Sequence, residues 1–401
     1  MSKVQVYAVG PNGDFVLESP VPGCAEVQGA SRPYTSVDVV SFLTRRLPRS
    51  LPVLRLLQLG PRNPGTLVIT TPLPLQRPAE GQEDQDPAAV RPEDVWTMLV
   101  VDRANHPATE IWPFSSLEMY HGATPHEKGP QKANVLPENL KDQLPFPEEV
   151  LSEAISQLLS VTSHIPVTWR DTTGTKSPAE LLANVRHTPQ QPVLPLWQHP
   201  QHPRADSSHP GRLVLDPSVP YGKYVFPVPQ KRGEEQPLPE GLVWTTIGPD
   251  DYADVMAVNK IIRSPTTLAA LKSRARRERG GKPGKAVAFA FAAGDGSVRT
   301  LHVDPAYRRQ GLAKAVVAKL LGTGLFEPPQ SGPLAAKQEV LDELLERDSE
   351  AGTTLAFAGI EESNTGSIGT FKALGGKWLW DVYWVYLDLD RARELAGEKT
   401  S

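Results

Sequence analysis

The chain has 401 residues, 39% of them apolar and 22% charged, which is the balance of a globular protein long enough for two or three domains. Its formal net charge of −4 argues against a general binder of nucleic acid or of anionic membranes. The single cysteine, Cys24, excludes an intramolecular disulfide and a cysteine-based metal site, and it suits a reducing compartment. The N-terminal run MSKVQVYAVGPNGDF lacks the apolar core of a signal peptide, and no segment approaches ~20 consecutive apolar residues. We therefore expect a cytoplasmic protein.

Residues 1–125 predict a small α+β lobe. The apolar periodicity predicts two helices and then three strands, at residues 36–47, 51–57, 66–71, 96–102 and 109–114. The stretch from residue 72 to residue 94 is rich in Pro, Glu, Gln and Asp, which favours a flexible insertion.

Residues 126–240 predict one helix followed by a proline-rich connector. An apolar stripe runs from residue 147 to residue 161, and Pro147 stands where the first turn of a helix tolerates proline. Twelve prolines between residues 189 and 239 favour an irregular connector that wraps the surface. Its histidines, as in HPQHP at 199–203, have no cysteine or acidic cluster beside them, so we expect a solvated loop and no metal.

Residues 241–401 predict a further domain. A Gly-Asp-Gly turn between the apolar runs 286–292 and 298–303 predicts an antiparallel hairpin. The remaining patterns predict strands at 241–247, 354–360 and 382–389, and helices at 250–262, 266–277, 311–321, 335–348 and 367–374. The basic run 272–285 favours a solvated helix end and loop over a nucleic-acid patch.

The most informative segment is LHVDPAYRRQGLAKAVVAKLL, at residues 301–321. A strand ends at an Asp-Pro pair, and a basic, glycine-bearing turn leads straight into a helix. The start of a helix exposes unpaired backbone N–H groups and partial positive charge, which suits phosphates. Gly311 lets the backbone approach a pyrophosphate, and Arg308, Arg309 and Lys314 add cationic donors. The alternative is a basic helix cap with no ligand.

The spacing Arg308-x-x-Gly311-x-Ala313 resembles the acyl-CoA loop of the GNAT superfamily of N-acyltransferases. The later segment NTGSIGTFKALGG, at 364–376, is similar to the second motif of that superfamily. Over residues 241–390 the sequence resembles the glycine N-acyltransferase-like branch, particularly its fungal members. The resemblance implies an α/β (α+β) GNAT fold, whose central mixed sheet splays between its fourth and fifth strands and is flanked by helices. Residues 1–125 resemble, more loosely, the degenerate first half of two-lobed members.

The resemblance also implies roles for particular residues. The backbone N–H of Leu301 would polarise the thioester carbonyl, and Asn364 would meet the pantetheine arm or the reacting end. The implied acyl-CoA contacts are Leu301, His302, Val303, Arg308, Arg309, Gln310, Gly311, Leu312, Ala313, Lys314, Asn364 and Ser367.

The sequence departs from the family where the acid and base are expected. Phe371 stands where many members have the tyrosine that protonates the leaving thiolate, and Arg299 and Ser297 stand where some members have a base. Glu362 and Tyr383 are the catalytic candidates that remain, although a solvated loop and strand packing, respectively, would also account for them.

These observations predict an acyl-CoA-dependent N-acyltransferase, most simply an N-acetyltransferase, that acylates a primary amine of a small molecule by direct attack. Acyl-CoA is the implied co-substrate, and no nucleic acid, membrane or metal is expected. Arg263 hints at an anionic acceptor, but a surface arginine explains it equally well. The alternative function is a non-catalytic CoA-binding or interaction protein with a degenerate site.

Overall fold

The computed structural model describes residues 4–17, 33–60, 66–73, 87–102, 110–120, 146–165, 186–187, 214–215, 221–229, 241–258, 268, 272–278, 286–347, 354–382, 385–387 and 389–396. The chain forms two compact units. Unit 1 comprises Met1–Val53, Arg62–Tyr221 and Trp380–Ser401, and unit 2 comprises Leu54–Pro61 and Gly222–Leu379.

The described residues contain both strands and helices. The strands are β1 (Gln5–Val9), β2 (Phe15–Leu17), β3 (Thr66–Thr70), β4 (Thr97–Asp102), β5 (Glu110–Ser115), β6 (Arg186–His187), β7 (Val214–Leu215), β8 (Tyr221–Pro227), β9 (Leu242–Thr245), β10 (Lys272–Glu278), β11 (Ala286–Ala292), β12 (Val298–Val303), β13 (Leu355–Glu361), β14 (Lys377–Val382) and β15 (Val385–Leu387). The α-helices are α1 (Ser36–Thr44), α2 (Leu51–Leu59), α3 (Leu117–Tyr120), α4 (Glu148–Ser163), α5 (Tyr252–Val258), α6 (Leu312–Leu321), α7 (Gln338–Arg347), α8 (Thr365–Lys372) and α9 (Leu389–Leu395).

Unit 1 is built on a sheet in the order β2-β1-β3-β4-β5-β6-β15-β7. The pairings from β2 to β5 are all antiparallel, whereas β5 and β6 run parallel to each other. Helix α4 covers this sheet because its apolar stripe, Val150, Leu151, Ala154, Ile155 and Leu158, is buried in the same core as Leu99 and Val101 of β4. The predicted strands and helices of the N-terminal lobe are present. Their carboxyl ends differ from the predicted ones by at most two residues, except that α1 ends three residues earlier than predicted.

Unit 2 contains two sheets that together hold the candidate site. Strands β9 to β12 form an antiparallel sheet in the order β12-β11-β10-β9, and β13, β8 and β14 form a second sheet in the order β13-β8-β14. The predicted hairpin is present, and β11 is buried along its whole length. Helix α6 packs into the core of this unit through Leu312, Val316 and Leu320. Each of the two units therefore combines a β-sheet with α-helices, and the fold is mixed α/β.

Two sequence predictions were wrong. The helix predicted at 266–277 is absent from 272–278, which form β10, because that backbone pairs with β9 on one side and β11 on the other. The connector predicted from residue 170 to about residue 240 contains strand β8, which lies in the second sheet of unit 2. The strand predicted at 382–389 is present at Val382 and at 385–387, whereas Leu389 begins α9.

The unit boundaries also differ from the predicted domains at 1–125, 126–240 and 241–401. Helix α4 belongs to unit 1 because its apolar face completes the core of that sheet. Helix α9 also belongs to unit 1, where Arg393 Nη2 donates to the Ile165 carbonyl at 2.6 Å.

Candidate functional site

The candidate site lies where strands β12 and β13 meet. Ser297, the residue before β12, forms an isolated parallel bridge with Phe357, and the Phe357 N–H donates to the Gly296 carbonyl at 3.3 Å. Beyond this bridge, here called the vertex, the strands belong to different sheets. Strands that diverge in this way leave backbone groups facing a gap, which an extended ligand can join as an additional strand.

Strand β12 contains a bulge that begins three residues beyond the vertex. Phe291 pairs with Arg299 and Phe289 pairs with His302, so Thr300 and Leu301 together oppose one residue of β11. Thr300 has a φ of +55°, a left-handed conformation that is strained for a β-branched residue, and its buried Oγ1 has no hydrogen-bond partner. An unpaired residue in a bulge frees backbone groups from the ladder at this point of the strand.

The two faces of β12 have different surroundings. Leu301 and Val303 pack against the core that holds α6, whereas the His302 ring stacks on Phe289, with centroids 5.3 Å apart. The side chain of His302 therefore points away from the face that carries Leu301, and its predicted contact with acyl-CoA concerns its backbone.

A tight loop connects β12 to α6. The Asp304 carboxylate accepts from the Ala306 N–H at 3.0 Å and caps a short 3-10 turn, and Arg308 Nε donates to the Val303 carbonyl at 3.1 Å. Arg309 and Gly311 both have left-handed backbones, with φ of +64° and +75°. Alternating backbone conformations of this kind turn successive N–H groups toward one concavity that suits anions.

The start of α6 fits the predicted phosphate contacts. Residues 308–311 and Lys314 are exposed, and a Cβ added at Gly311 would meet no atom within 4 Å. Open space beside the first turn of a ten-residue helix leaves its N–H groups available to a pyrophosphate. Glycine is needed here for its left-handed φ and not because a side chain would collide. The assignment of Gln310, Leu312 and Ala313 to the same contacts stays a prediction.

The second predicted motif forms the start of helix α8. Asn364 is the N-cap, and its Oδ1 accepts from the Ser367 N–H at 3.1 Å, so the structure brings these two predicted residues together. Glu362 is half-buried in the turn after β13, two residues before Asn364. Tyr383, Cys24 and Arg263 lie outside the described residues.

Phe371 stands where many GNAT members have their acid. Its side chain is 2% exposed, and its ring packs on Phe226 at a centroid distance of 5.1 Å. It is a core residue of unit 2 and offers no proton.

A buried ionic network adjoins the vertex. Asp295 is 2% exposed and accepts from Arg299 Nη2 and from Ser297 Oγ, each at 2.5 Å, while Arg299 Nε donates to Ser297 Oγ at 2.8 Å. Lys223 is also buried, with its Nζ 4.1 Å from the centroid of the Phe357 ring. Burial by itself raises the pKa of Asp295, but the charges of Arg299 and Lys223 and the hydrogen bonds from Ser297 and Arg299 hold it below its ordinary value.

Sequence reasoning missed this network. Ser297 and Arg299 were considered only as places where a base is lacking, and Asp295 was considered only as part of a hairpin turn. Charged residues flanking a Gly-Asp-Gly turn would have been the available signal. Lys223 could not be found, because it lies more than 70 residues earlier in the sequence, in a strand that was predicted as a connector.

Comparisons with known proteins agree with the class that this geometry suggests. Residues 26–224 match the model of the acyl-CoA N-acyltransferase verG N-terminal domain. No curated protein matches the sequence. Residues 26–224 are therefore similar to the N-terminal domain of an acyl-CoA N-acyltransferase.

Several solved structures are similar to the chain at low identity. A Drosophila protein is 14% identical with a TM-score of 0.47, and the match covers 90% of this chain and 98% of that one. The tandem GNAT protein from the clavulanic acid biosynthesis pathway is 11% identical with a TM-score of 0.34, over 87% and 94% of the two chains. A GCN5-related N-acetyltransferase from Sphaerobacter thermophilus is 12% identical with a TM-score of 0.32, over 73% and 79%. Because every TM-score is below 0.5, no residue role is taken from these structures.

The part of the chain that the structure describes has no helix both long and apolar enough to cross a membrane. It also has no group of three or more His, Cys, Asp or Glu side chains that could hold a metal ion.

Proposed function

We propose that this acyltransferase moves an acyl group, most simply acetyl, from a CoA thioester to the primary amine of a small molecule. The observation that carries the proposal is the combination of diverging strands, a bulge at Thr300–Leu301 and a left-handed glycine at the start of α6. An extended pantetheine arm fits the gap between β12 and β13, and a pyrophosphate fits the loop from Arg308 to Ala313. The thioester would then lie near the bulge.

The reaction that we propose is a direct attack. The free amine attacks the thioester carbonyl carbon and forms the C–N bond, and the Leu301 N–H stabilises the oxyanion. Removing one such donor typically costs about 10²–10³ in rate. The C–S bond then breaks and CoA leaves as a thiolate. The only cysteine, at position 24, precedes the whole of unit 2, and no acyl-cysteine intermediate is proposed.

The attacking nitrogen must release a proton, whereas the leaving sulfur need not receive one from the enzyme. A free thiol has a reference pKa near ~8.5, so CoA can leave as an anion without an enzymic acid, and a buried Phe371 is compatible with turnover. Asp295 is not proposed as the base, because it is already paired with Arg299. Glu362 is the proposed acceptor of the proton that the attacking nitrogen releases, and Asn364 and Tyr383 are the proposed neighbours of the reacting end.

The finer assignments rest on the sequence. The glycine N-acyltransferase-like branch is proposed from the motifs between residues 241 and 390, and a cytoplasmic location from the single cysteine.

A non-catalytic CoA-binding protein is the second candidate function, and the buried Phe371 favours it. Thermal-shift screening against acyl-CoA of increasing chain length, followed by thiol release over a panel of amines, separates the two. Binding together with thiol release supports the enzyme. Saturable acetyl-CoA binding without thiol release from any amine at pH 9 would support the non-catalytic protein.

A further inference from the structure

Arg55 is a buried cation. It lies in the part of α2 that belongs to unit 2, and its side chain is 4% exposed. Burial lowers its pKa to about 10, so the guanidinium is still charged at neutral pH. Among the described residues no carboxylate pairs with it, and its buried Nε has no hydrogen-bond partner. A buried, unpaired charge is costly and calls for a partner that is not part of the fold.

The guanidinium is held in place by a neutral side chain. Arg55 Nη1 donates to Gln58 Oε1 at 2.6 Å, and Gln58 Nε2 donates to the Leu334 carbonyl at 3.2 Å. The second hydrogen bond fixes the Gln58 amide with its oxygen toward Arg55. A positioned guanidinium with an unused Nε–H is suited to a planar oxyanion such as a carboxylate, which it can bind through two parallel hydrogen bonds.

Arg55 lies beside the vertex of the diverging strands. A Cβ added at Gly296 would stand 2.8 Å from Arg55 Cγ and 2.9 Å from its Cβ, so the arginine stem rests on the turn that leads into β12. The carbonyl of Gly296 accepts the hydrogen bond from Phe357 that closes the vertex. The vertex is at one end of the gap between β12 and β13, and the phosphate loop follows the other end of β12. Arg55 therefore lies at the end of the gap that is farther from the phosphate loop.

The anion that Arg55 needs is not supplied by the network at this turn. Asp295 already faces two cations, Arg299 and Lys223, and Arg299 is bonded to it directly. A negatively charged group of a substrate is the ligand that would balance the charge of Arg55.

We propose that Arg55 binds a carboxylate of a substrate beside the vertex, and this inference rests on the proposed function. The carboxylate has two available sources, since either the acceptor amine or the distal end of the acyl chain can carry it. In both cases Arg55 determines specificity through the charge of the substrate and takes no part in bond making or breaking.

The test compares substrate pairs that differ in one carboxylate, in an amine arm and in an acyl arm. Glycine is compared with glycinamide and phenylalanine with phenylalaninamide, each with acetyl-CoA and each corrected for the fraction of free amine. Succinyl-CoA is compared with butyryl-CoA, using an uncharged amine. Thiol release is measured for the wild-type protein, for Arg55→Met and for Arg91→Met, a matched loss of charge at an exposed arginine in unit 1.

The wild type is expected to prefer the carboxylate member of one arm by about 10- to 100-fold in kcat/KM, as for a hydrogen bond to a charged group. Arg55→Met should remove that preference, and Arg91→Met should keep it. A preference in the amine arm identifies the acceptor as the source, and one in the acyl arm identifies the acyl chain. A preference that survives in Arg55→Met, or its absence from both arms of the wild type, would overturn the inference and leave the proposed function intact.

If no amine gives thiol release, that result counts against the proposed function itself. Whether Arg55 binds a carboxylate is then tested by ligand binding. N-acetylglycine should then raise the melting temperature of the wild type more than N-acetylglycinamide does, and Arg55→Met should abolish that difference. The free Arg55→Met protein should also be as stable as the wild type or more so, because an unpaired cation has been replaced by an apolar chain. Equal shifts with the two compounds, or a marked loss of stability in Arg55→Met, would mean that Arg55 is only structural.

Discussion

Arg299 donates to Asp295 at 2.5 Å across the turn that leads into strand β12. Asp295 is buried and Arg299 is half-buried, and Arg299 stands at one of the two positions where a base is expected from the resemblance. Its role in this chain is to hold the turn beside the vertex, because Ser297, which forms the bridge to Phe357, is bonded to both partners.

Asp295→Asn should therefore destabilise the protein strongly. The substitution removes the buried carboxylate that faces Arg299 and Lys223, and breaking a buried pair from one side costs about 3–5 kcal/mol. Chemical denaturation at pH 7 measures the effect. Asp342→Asn, on the exposed face of α7, is the matched control and should change the free energy of unfolding by less than about 0.5 kcal/mol. Equal effects of the two substitutions would show that the buried pair does not stabilise the turn.

The same pair predicts a dependence of stability on pH. The pKa of Asp295 in the folded protein lies below its ordinary value, which is ~3.9 in an unfolded chain. Its contribution is therefore present above about pH 4 and is lost as the pH falls through the folded pKa. The difference in unfolding free energy between wild type and Asp295→Asn should shrink in acid. A difference that stays constant from pH 7 down to acid unfolding would contradict the assignment.

Phe371→Tyr should not restore an acid. The added hydroxyl would enter a core position against Phe226, where an unpaired hydroxyl costs about 1–3 kcal/mol. We expect lower stability and no gain in kcat, measured by denaturation and by thiol release. Phe371→Leu, which changes the same core position without adding a hydroxyl, is the control. A higher kcat at unchanged stability would mean that the phenol reaches the sulfur.

Turnover should rise toward alkaline pH because the free amine is the nucleophile. Below the acceptor pKa, which is ~10 for an unperturbed alkyl amine, kcat/KM should increase about tenfold per pH unit. Glu362→Gln should lower kcat by up to about 10²-fold, the lower end of general acid–base catalysis, and keep this slope. Glu361, which accepts from Ser363 at 2.7 Å, provides the matched control Glu361→Gln, with a smaller effect expected. A pH-independent rate between pH 7 and 9, or equal effects at the two glutamates, would rule out this arrangement.

The local parts of the site could be predicted from the sequence. An apolar run, an Asp-Pro break, a basic turn with glycine and a helical period follow one another within 24 residues, and the structure has β12, the loop and α6 at those places. Asn364 and Ser367 were both predicted as acyl-CoA contacts from the resemblance, and the structure adds that Asn364 caps the helix that contains Ser367.

The parts that depend on distant segments could not be predicted. Residues 272–278 have a composition that is compatible with a helix, and pairing with β9 and β11 outweighs a preference of only tenths of a kcal/mol per residue. Arg55 is a lone cation in the helical run PVLRLLQL, and nothing local connects it with Gly296, about 240 residues later. The family match at residues 26–224 likewise lies mostly outside the motifs that suggested the superfamily.

The central claim is that the loop before α6 binds the phosphates of acyl-CoA, and calorimetric titration with acetyl-CoA tests it most directly. Gly311→Glu places a carboxylate at that helix start and forces a side chain onto a left-handed residue, so binding should be abolished. Gly332→Glu is the matched control, because Gly332 also has a left-handed φ, of +85°, and open space around its Cα. The account predicts saturable binding by the wild type and Gly332→Glu and none by a folded Gly311→Glu. Unchanged acetyl-CoA affinity in Gly311→Glu would contradict it.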